Sequence, residues 1–187
     1  MLKVLKNKKF LGLLLFTAIF GYAVYFVQKS ANSAEIFAKQ REHCPFCNSK
    51  RMEWQKIYED DLVFASLNYK PLTQGHCLVI PKRHVERSED LTDEETLRIF
   101  QVIKKVHKAA ENVFGVYSFR IVQNNGLEVG QSVTHVHYHY IPRKKDEKYS
   151  WYFAFKCFFE SYPQKPLTPE QMKEPVEKMR LATEKLK

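Results

Sequence analysis

Residues 135–141 read His-Val-His-Tyr-His-Tyr-Ile, an alternation that leaves the chain few folds to choose from. Side chains of an extended strand point to opposite faces in turn, so the pattern predicts His135, His137 and His139 on one face and Val136, Tyr138 and Tyr140 on the other. One face must then border a site and the other must pack. A single histidine, such as His107 or His43, is accounted for by solvation or by a hydrogen bond in the core. Three side by side are not a packing solution. They predict either a transition-metal site, with imidazoles converging on the ion, or nucleophilic catalysis, in which a neutral imidazole attacks an electrophile while a neighbour holds its other nitrogen in the required tautomer.

The rest of the chain supplies the elements that such a strand needs. Residues 54–58 and 62–67 are β-leaning runs split by Glu59-Asp60-Asp61, which predicts a hairpin. Cys77-Leu78-Val79-Ile80 is a short apolar run ended by Pro81, as expected of a buried strand. Thr92 and Glu95 have capping-box spacing, and Leu97, Phe100, Ile103, Val106, Ala110 and Val113 follow at helical intervals up to Gly115. Residues 116–123 read as a strand, Asn124-Asn125-Gly126 and Gly130 as a turn, and residues 132–141 as the histidine strand. Strands around one long helix predict an α+β fold with an antiparallel sheet of about five strands.

The flanks of the histidines favour phosphate chemistry over metal storage. Gln131 offers an amide donor, Ser132 a hydroxyl and the glycine-flanked turn its backbone N–H groups, a set suited to non-bridging phosphate oxygens. Here the sequence resembles the histidine-triad (HIT) superfamily. The resemblance rests on Asn124-Asn125-Gly126, Gly130-Gln131-Ser132-Val133, His135 through Ile141, Gly75-His76-Cys77-Leu78-Val79-Ile80-Pro81-Lys82-Arg83-His84 and Tyr58-Glu59-Asp60-Asp61, which look like the Hint and Fhit branches. It covers roughly residues 43–145. It implies a homodimeric α+β nucleotide hydrolase or transferase that cleaves a phosphoanhydride or phosphoramidate at the α-phosphate, with no cofactor required for the chemistry. By position His137 is the implied nucleophile, forming a nucleotidyl-histidine intermediate, and His139 binds phosphate and orients it. His135 and His76 belong to the neighbouring histidine network. Gln131 and Ser132 are implied contacts to the phosphates or leaving group, with Asn124 close by, and Asn68 occupies the ribose-binding position. Tyr138 and Tyr140 are bulkier and more polar than the apolar residues usual between the histidines, which predicts hydrogen bonding in the core or contact with the aromatic tail.

Cys44-Pro45-Phe46-Cys47 is open to three readings: a redox pair, half of a zinc site, or two buried thiols. Some HIT proteins carry zinc on such a pair plus two histidines, and by that resemblance the structural zinc set here is Cys44, Cys47, His76 and His135. Cys77, next to His76 on a strand, is expected in the core.

Residues 10–27 are eighteen residues without a charge, about 27 Å of helix. With the basic run before them, they predict an uncleaved single-pass membrane anchor, a cleaved signal peptide being the competing reading. The lysine bias places residues 35–187 on the non-cytoplasmic side. The formal net charge is +9, of which five lysines within residues 1–34 supply more than half. The remaining +4 does not call for nucleic acid, and no base-stacking motif accompanies the basic clusters. The expected organisation is an anchor over 1–34, a nucleotide-binding domain over 35–148 and an aromatic, then helical, extension over 149–187. Two further readings follow: hydrolysis of a lipid-linked nucleotide such as CDP-diacylglycerol, suggested by the anchor, and a non-catalytic nucleotide- or zinc-binding module.

Overall fold

Thr92 begins the longest helix among the described residues, as its sequence predicts. The threonine side chain accepts from the Glu95 N–H, the Glu95 side chain accepts from the Thr92 N–H, and at the far end Gly115 takes a left-handed conformation (φ 66°) to close the helix. The structure, a computed structural model, describes residues 44–145 and 165–186 together with Thr17, Phe20, Gly21, Glu147 and Trp151. In chain order its elements are α1 (Ser49–Met52), β1 (Lys56–Glu59), β2 (Val63–Leu67), β3 (Cys77–Pro81), α2 (Asp93–Phe114), β4 (Val116–Val122), β5 (Tyr138–Lys144) and α3 (Pro169–Glu184).

The five strands form one antiparallel sheet in the order β1-β2-β3-β5-β4. Its two faces are separated by the strand period. Val63, Ala65, Leu67, Cys77, Val79 and Tyr140 pack with Ile99, Ile103 and Val106 of α2 and with Met172, Val176 and Met179 of α3. Phe64, Leu78 and Ile80 point the other way and, with Met52 and Phe46, make a smaller cluster beneath the site. Cys77 lies in the core as expected, its thiol donating to the Gly75 carbonyl. Thr168 caps α3 through a second capping box, and the helix continues through Pro175. Its Thr183 hydroxyl reaches the Ile57 carbonyl at 2.8 Å, tying α3 to β1.

Two expectations are corrected. The histidine strand is shorter than its alternation suggests: β5 begins at Tyr138, not at Ser132. A tight turn, in which the His135 N–H donates to the Val133 carbonyl at 2.8 Å, breaks the strand ahead of it. Only His139 of the three histidines therefore belongs to the ladder, opposite Leu78. The second correction concerns the membrane. The expected anchor lies outside the described residues apart from Thr17, Phe20 and Gly21, and the aromatic run over 149–162, Cys157 included, is outside them apart from Trp151. Among the described residues no helix is long and apolar enough to cross a membrane. A span needs about 20 consecutive apolar residues, whereas the 22 residues of α2 form an amphipathic helix with charged side chains opposite its buried face. The single-pass membrane localisation, and the membrane as partner, are overturned on that finding.

Candidate active site

Hydrogen bonds assign the proton positions in the histidine network, because a backbone carbonyl can only accept and a backbone N–H can only donate. His137 Nδ1 lies 2.7 Å from the His135 carbonyl oxygen, so Nδ1 carries the proton and Nε2 keeps its lone pair. The interruption before β5 makes this bond from a side chain to the carbonyl two residues back. A second chain starts at the Leu72 N–H, which donates to His76 Nδ1 at 3.1 Å. His76 must then carry its proton on Nε2, which faces His139 Nδ1 at 3.0 Å. His139 consequently presents Nε2–H. Its ring centroid is 5.0 Å from that of His137, with the planes at 58°, so the ring with a bare Nε2 and the ring with an Nε2–H are neighbours. Asn68 Nδ2 stands 3.5 Å from His76 Nε2, while its side-chain oxygen accepts from the Lys70 N–H.

Burial keeps these imidazoles neutral. His137 and His139 are pushed down to about 4, His137 by desolvation and then by the neighbouring His139, and His139 by desolvation. His76, 2% exposed, lies well below the ordinary histidine range for the same first reason, with His139 and His137 adding to it. Behind the site, the predicted packing of Tyr140 takes the hydrogen-bonded form. Its hydroxyl is 2.8 Å from His107 Nδ1, which satisfies both polar groups in the core.

His135 turns away from its neighbours. Its Nε2–H donates to the Pro81 carbonyl at 2.8 Å, leaving Nδ1 as an acceptor facing Cys44 Sγ at 3.4 Å and Cys47 Sγ at 3.6 Å. Cys47 Sγ is in turn 3.3 Å from His84 Nδ1. The four donor atoms of Cys44, Cys47, His84 and His135 all lie within 4.8 Å of one another. With bonds of about 2.3 Å to sulfur and about 2.0–2.1 Å to nitrogen, a tetrahedral zinc separates its ligands by roughly 3.3–3.8 Å, so the residues present fit that ion. The expected set is corrected at one position: His76 is engaged with His139 and Leu72, and His84 is the fourth member of the cluster. The clue lay in the motif itself, since His84 follows the end of β3 by three residues and so reaches the same sheet end as His135. The Cys47 thiol is pushed up to about 11 by burial and by Cys44 beside it.

Gln131 is placed differently from expectation. Its side-chain oxygen accepts from the Gly126 N–H at 2.7 Å and its amide donates to the Glu86 carbonyl at 3.0 Å, which leaves one amide proton for a ligand. It braces the turn between Gly126 (φ 129°) and Gly130 (φ 87°), whose carbonyl accepts from Asn124 Nδ2 at 3.3 Å. Ser132 is exposed.

Residues 49–146 match the model of the HIT domain. The chain belongs to the HIT domain family. This HIT-domain protein is 36% identical over 132 residues to an adenosine 5'-monophosphoramidase of Schizosaccharomyces pombe, a match covering 70% of this chain and 90% of that one. It is 44% identical over 91 residues to the asymmetrical bis(5'-nucleosyl)-tetraphosphatase of the same organism, covering 49% of this chain and 50% of the relative. Among solved structures, a zinc-bound histidine triad family protein from Mycobacterium smegmatis superposes with a TM-score of 0.61 at 28% identity, over 78% of this chain and 96% of that one. The two S. pombe relatives are nucleotide hydrolases by name.

Proposed function

We propose that this HIT-domain protein hydrolyses a nucleotide conjugate at its α-phosphate by way of a nucleotidyl-histidine intermediate on His137. One observation carries the reading: His137 is buried and neutral, with its proton fixed on Nδ1 by the His135 carbonyl, which leaves Nε2 its lone pair, and its ring neighbours that of His139. Attack of Nε2 on the α-phosphorus forms a P–N bond and breaks the bond to the leaving group: a phosphate departs as its anion, and an amine departs with a proton taken up from solvent, which the attacking water returns in the second step. The positive charge that develops on the imidazole is stabilised through Nδ1–H by the carbonyl that already accepts from it. His139 Nε2–H donates to a non-bridging oxygen, and the His76 bond to its Nδ1 holds it in that tautomer. Water then cleaves the P–N bond, releasing the nucleoside monophosphate and restoring neutral His137. Asn68 is assigned to the ribose, and Asn124, Ser132 and the remaining Gln131 amide proton to the phosphates. The chemistry calls on no redox cofactor.

Zinc held by Cys44, Cys47, His84 and His135 would be structural, since four protein donors leave no open position for substrate. A homodimer is supported by β4. It is an edge strand, pairs with β5 alone among the described strands, and carries Tyr117 (64% exposed) and Phe119 (40% exposed).

The test is a panel of adenosine and guanosine phosphoramidates, dinucleoside polyphosphates and CDP-diacylglycerol, with acid-quenched capture of the covalent adduct. His137→Asn should bind nucleotide, form no adduct and lose at least about 1,000-fold in turnover. Full turnover by that variant rejects the mechanism. Uniform inactivity of the wild-type protein with nucleotide bound identifies a binding module instead.

A further inference from the structure

The Cys44–Cys47 turn places Phe46 where neither cysteine has a use for it. The Phe46 ring meets His137 edge-on, with centroids 5.2 Å apart and planes at 65°, and meets His135 at 5.8 Å and 75°. From beneath it packs on the cluster of Phe64, Leu78 and Ile80. His135 joins the same two places a second way. Its side chain faces the two cysteines, while its backbone carbonyl holds the Nδ1 proton of His137 at 2.7 Å. Two routes thus run from one four-residue cluster to one imidazole: an aromatic edge carried between the two cysteines, and the carbonyl of a cluster member.

We propose that Phe46 is a positioning residue for His137, and that filling the Cys44, Cys47, His84 and His135 cluster is what sets it. The inference rests on the reading of His137 as the nucleophile and adds to it a metal-dependent control of that nucleophile. A metal tied to Cys44 and Cys47 restrains the residues between them, so the Phe46 edge is held against the imidazole and one ring orientation is selected. When the cluster is empty, the short Cys44–Cys47 segment loses its anchor, and the imidazole keeps its hydrogen bond but not its wall. Edge-on aromatic contacts have a preferred geometry, which an aliphatic side chain of similar volume does not reproduce.

The experiment uses the full chain labelled at histidine, with the His137 imidazole resonances assigned by their loss in His137→Asn. Zinc-loaded wild type is compared with zinc-loaded Phe46→Ala and Phe46→Leu, and each is then chelated and reloaded with zinc. In the wild type the His137 resonances should move on chelation and return on reloading. In Phe46→Ala the loaded protein should already resemble the chelated wild type and respond little. Phe46→Leu, which keeps the packing on Leu78, should fall between them and serves if the alanine variant folds poorly. Zinc content should be equal in all three. Adduct formation on His137 should slow by about two- to tenfold in Phe46→Ala, with nucleotide affinity within about twofold of wild type. Loaded Phe46 variants with wild-type resonances and wild-type adduct rates overturn the proposal, as does a wild-type signal indifferent to zinc. Absence of any adduct in the wild type rejects the nucleophile reading alone, since the resonances still decide whether Phe46 and the metal position the ring.

Discussion

Replacing Gln131 by alanine separates two roles that the sequence leaves merged. The side chain is 3% exposed, and its two bonds satisfy the Gly126 N–H and the Glu86 carbonyl, both backbone groups with fixed positions. Removing it leaves a donor and an acceptor without partners, at about 1–3 kcal/mol each, so roughly 2–6 kcal/mol of stability is lost. For a domain of this size each kcal/mol lowers Tm by about 2–4 °C, which predicts a fall of at least about 4 °C. Nucleotide affinity should drop by less, because only one amide proton was left to contact a phosphate. Gln131→Glu keeps an acceptor for Gly126 but turns an oxygen toward the Glu86 carbonyl, and should destabilise by an intermediate amount. Thermal unfolding and calorimetric titration with AMP on the same preparations make the measurement. A Tm within about 2 °C of wild type combined with binding weakened tenfold would refute the bracing role and restore direct phosphate contact.

Further outcomes are expected at other positions. Because His137 and His139 titrate near 4 when folded against 6.5 as free histidines, the unfolded chain binds more protons between those values. Stability should therefore be complete above about pH 6.5 and decline as pH falls toward 4. At pH 5 each group costs about 2 kcal/mol, and denaturant titrations at pH 7 and 5 that agree would contradict their burial as neutral rings. His76→Leu removes the bond that fixes the His139 tautomer and should slow turnover by about 10- to 100-fold, read as kcat against KM; an unchanged kcat would break the relay. Tyr117→Asp on the exposed edge of β4 should convert a dimer to monomer in sedimentation velocity, and an unchanged coefficient would move the interface elsewhere. Chelation of bound zinc should lower Tm and release protons on reloading, whereas equal stability without metal would remove the structural site.

Much of this was legible because local patterns carry their own geometry. The Thr92 and Glu95 spacing and Gly115 closed α2 as read, since capping involves only neighbours in the chain. The hairpin, β3 and β4 followed from β-leaning and apolar runs and from the residues that bound them. The three histidines were legible as one group, but their identical spacing concealed that their surroundings differ. His135 turns toward sulfur, His137 keeps a bare nitrogen and His139 presents an N–H. Alternation could not reveal the turn ahead of β5, because that turn depends on the Val133 carbonyl and on the bond from the Val136 N–H to the Val85 carbonyl at 2.7 Å.

By itself, then, the sequence determined the elements, the family resemblance and the chemical types gathered at the site, because these depend on short-range periodicity and on residue identity. Which histidine joins the cysteines was decided only in three dimensions, where β3 ends beside the Cys44–Cys47 turn and brings in His84 while His76 is taken by His139. The same holds for the tautomers, for the bracing by Gln131 and for the Phe46 edge on His137. Each depends on a distance between residues far apart in the chain, and packing alone sets such distances.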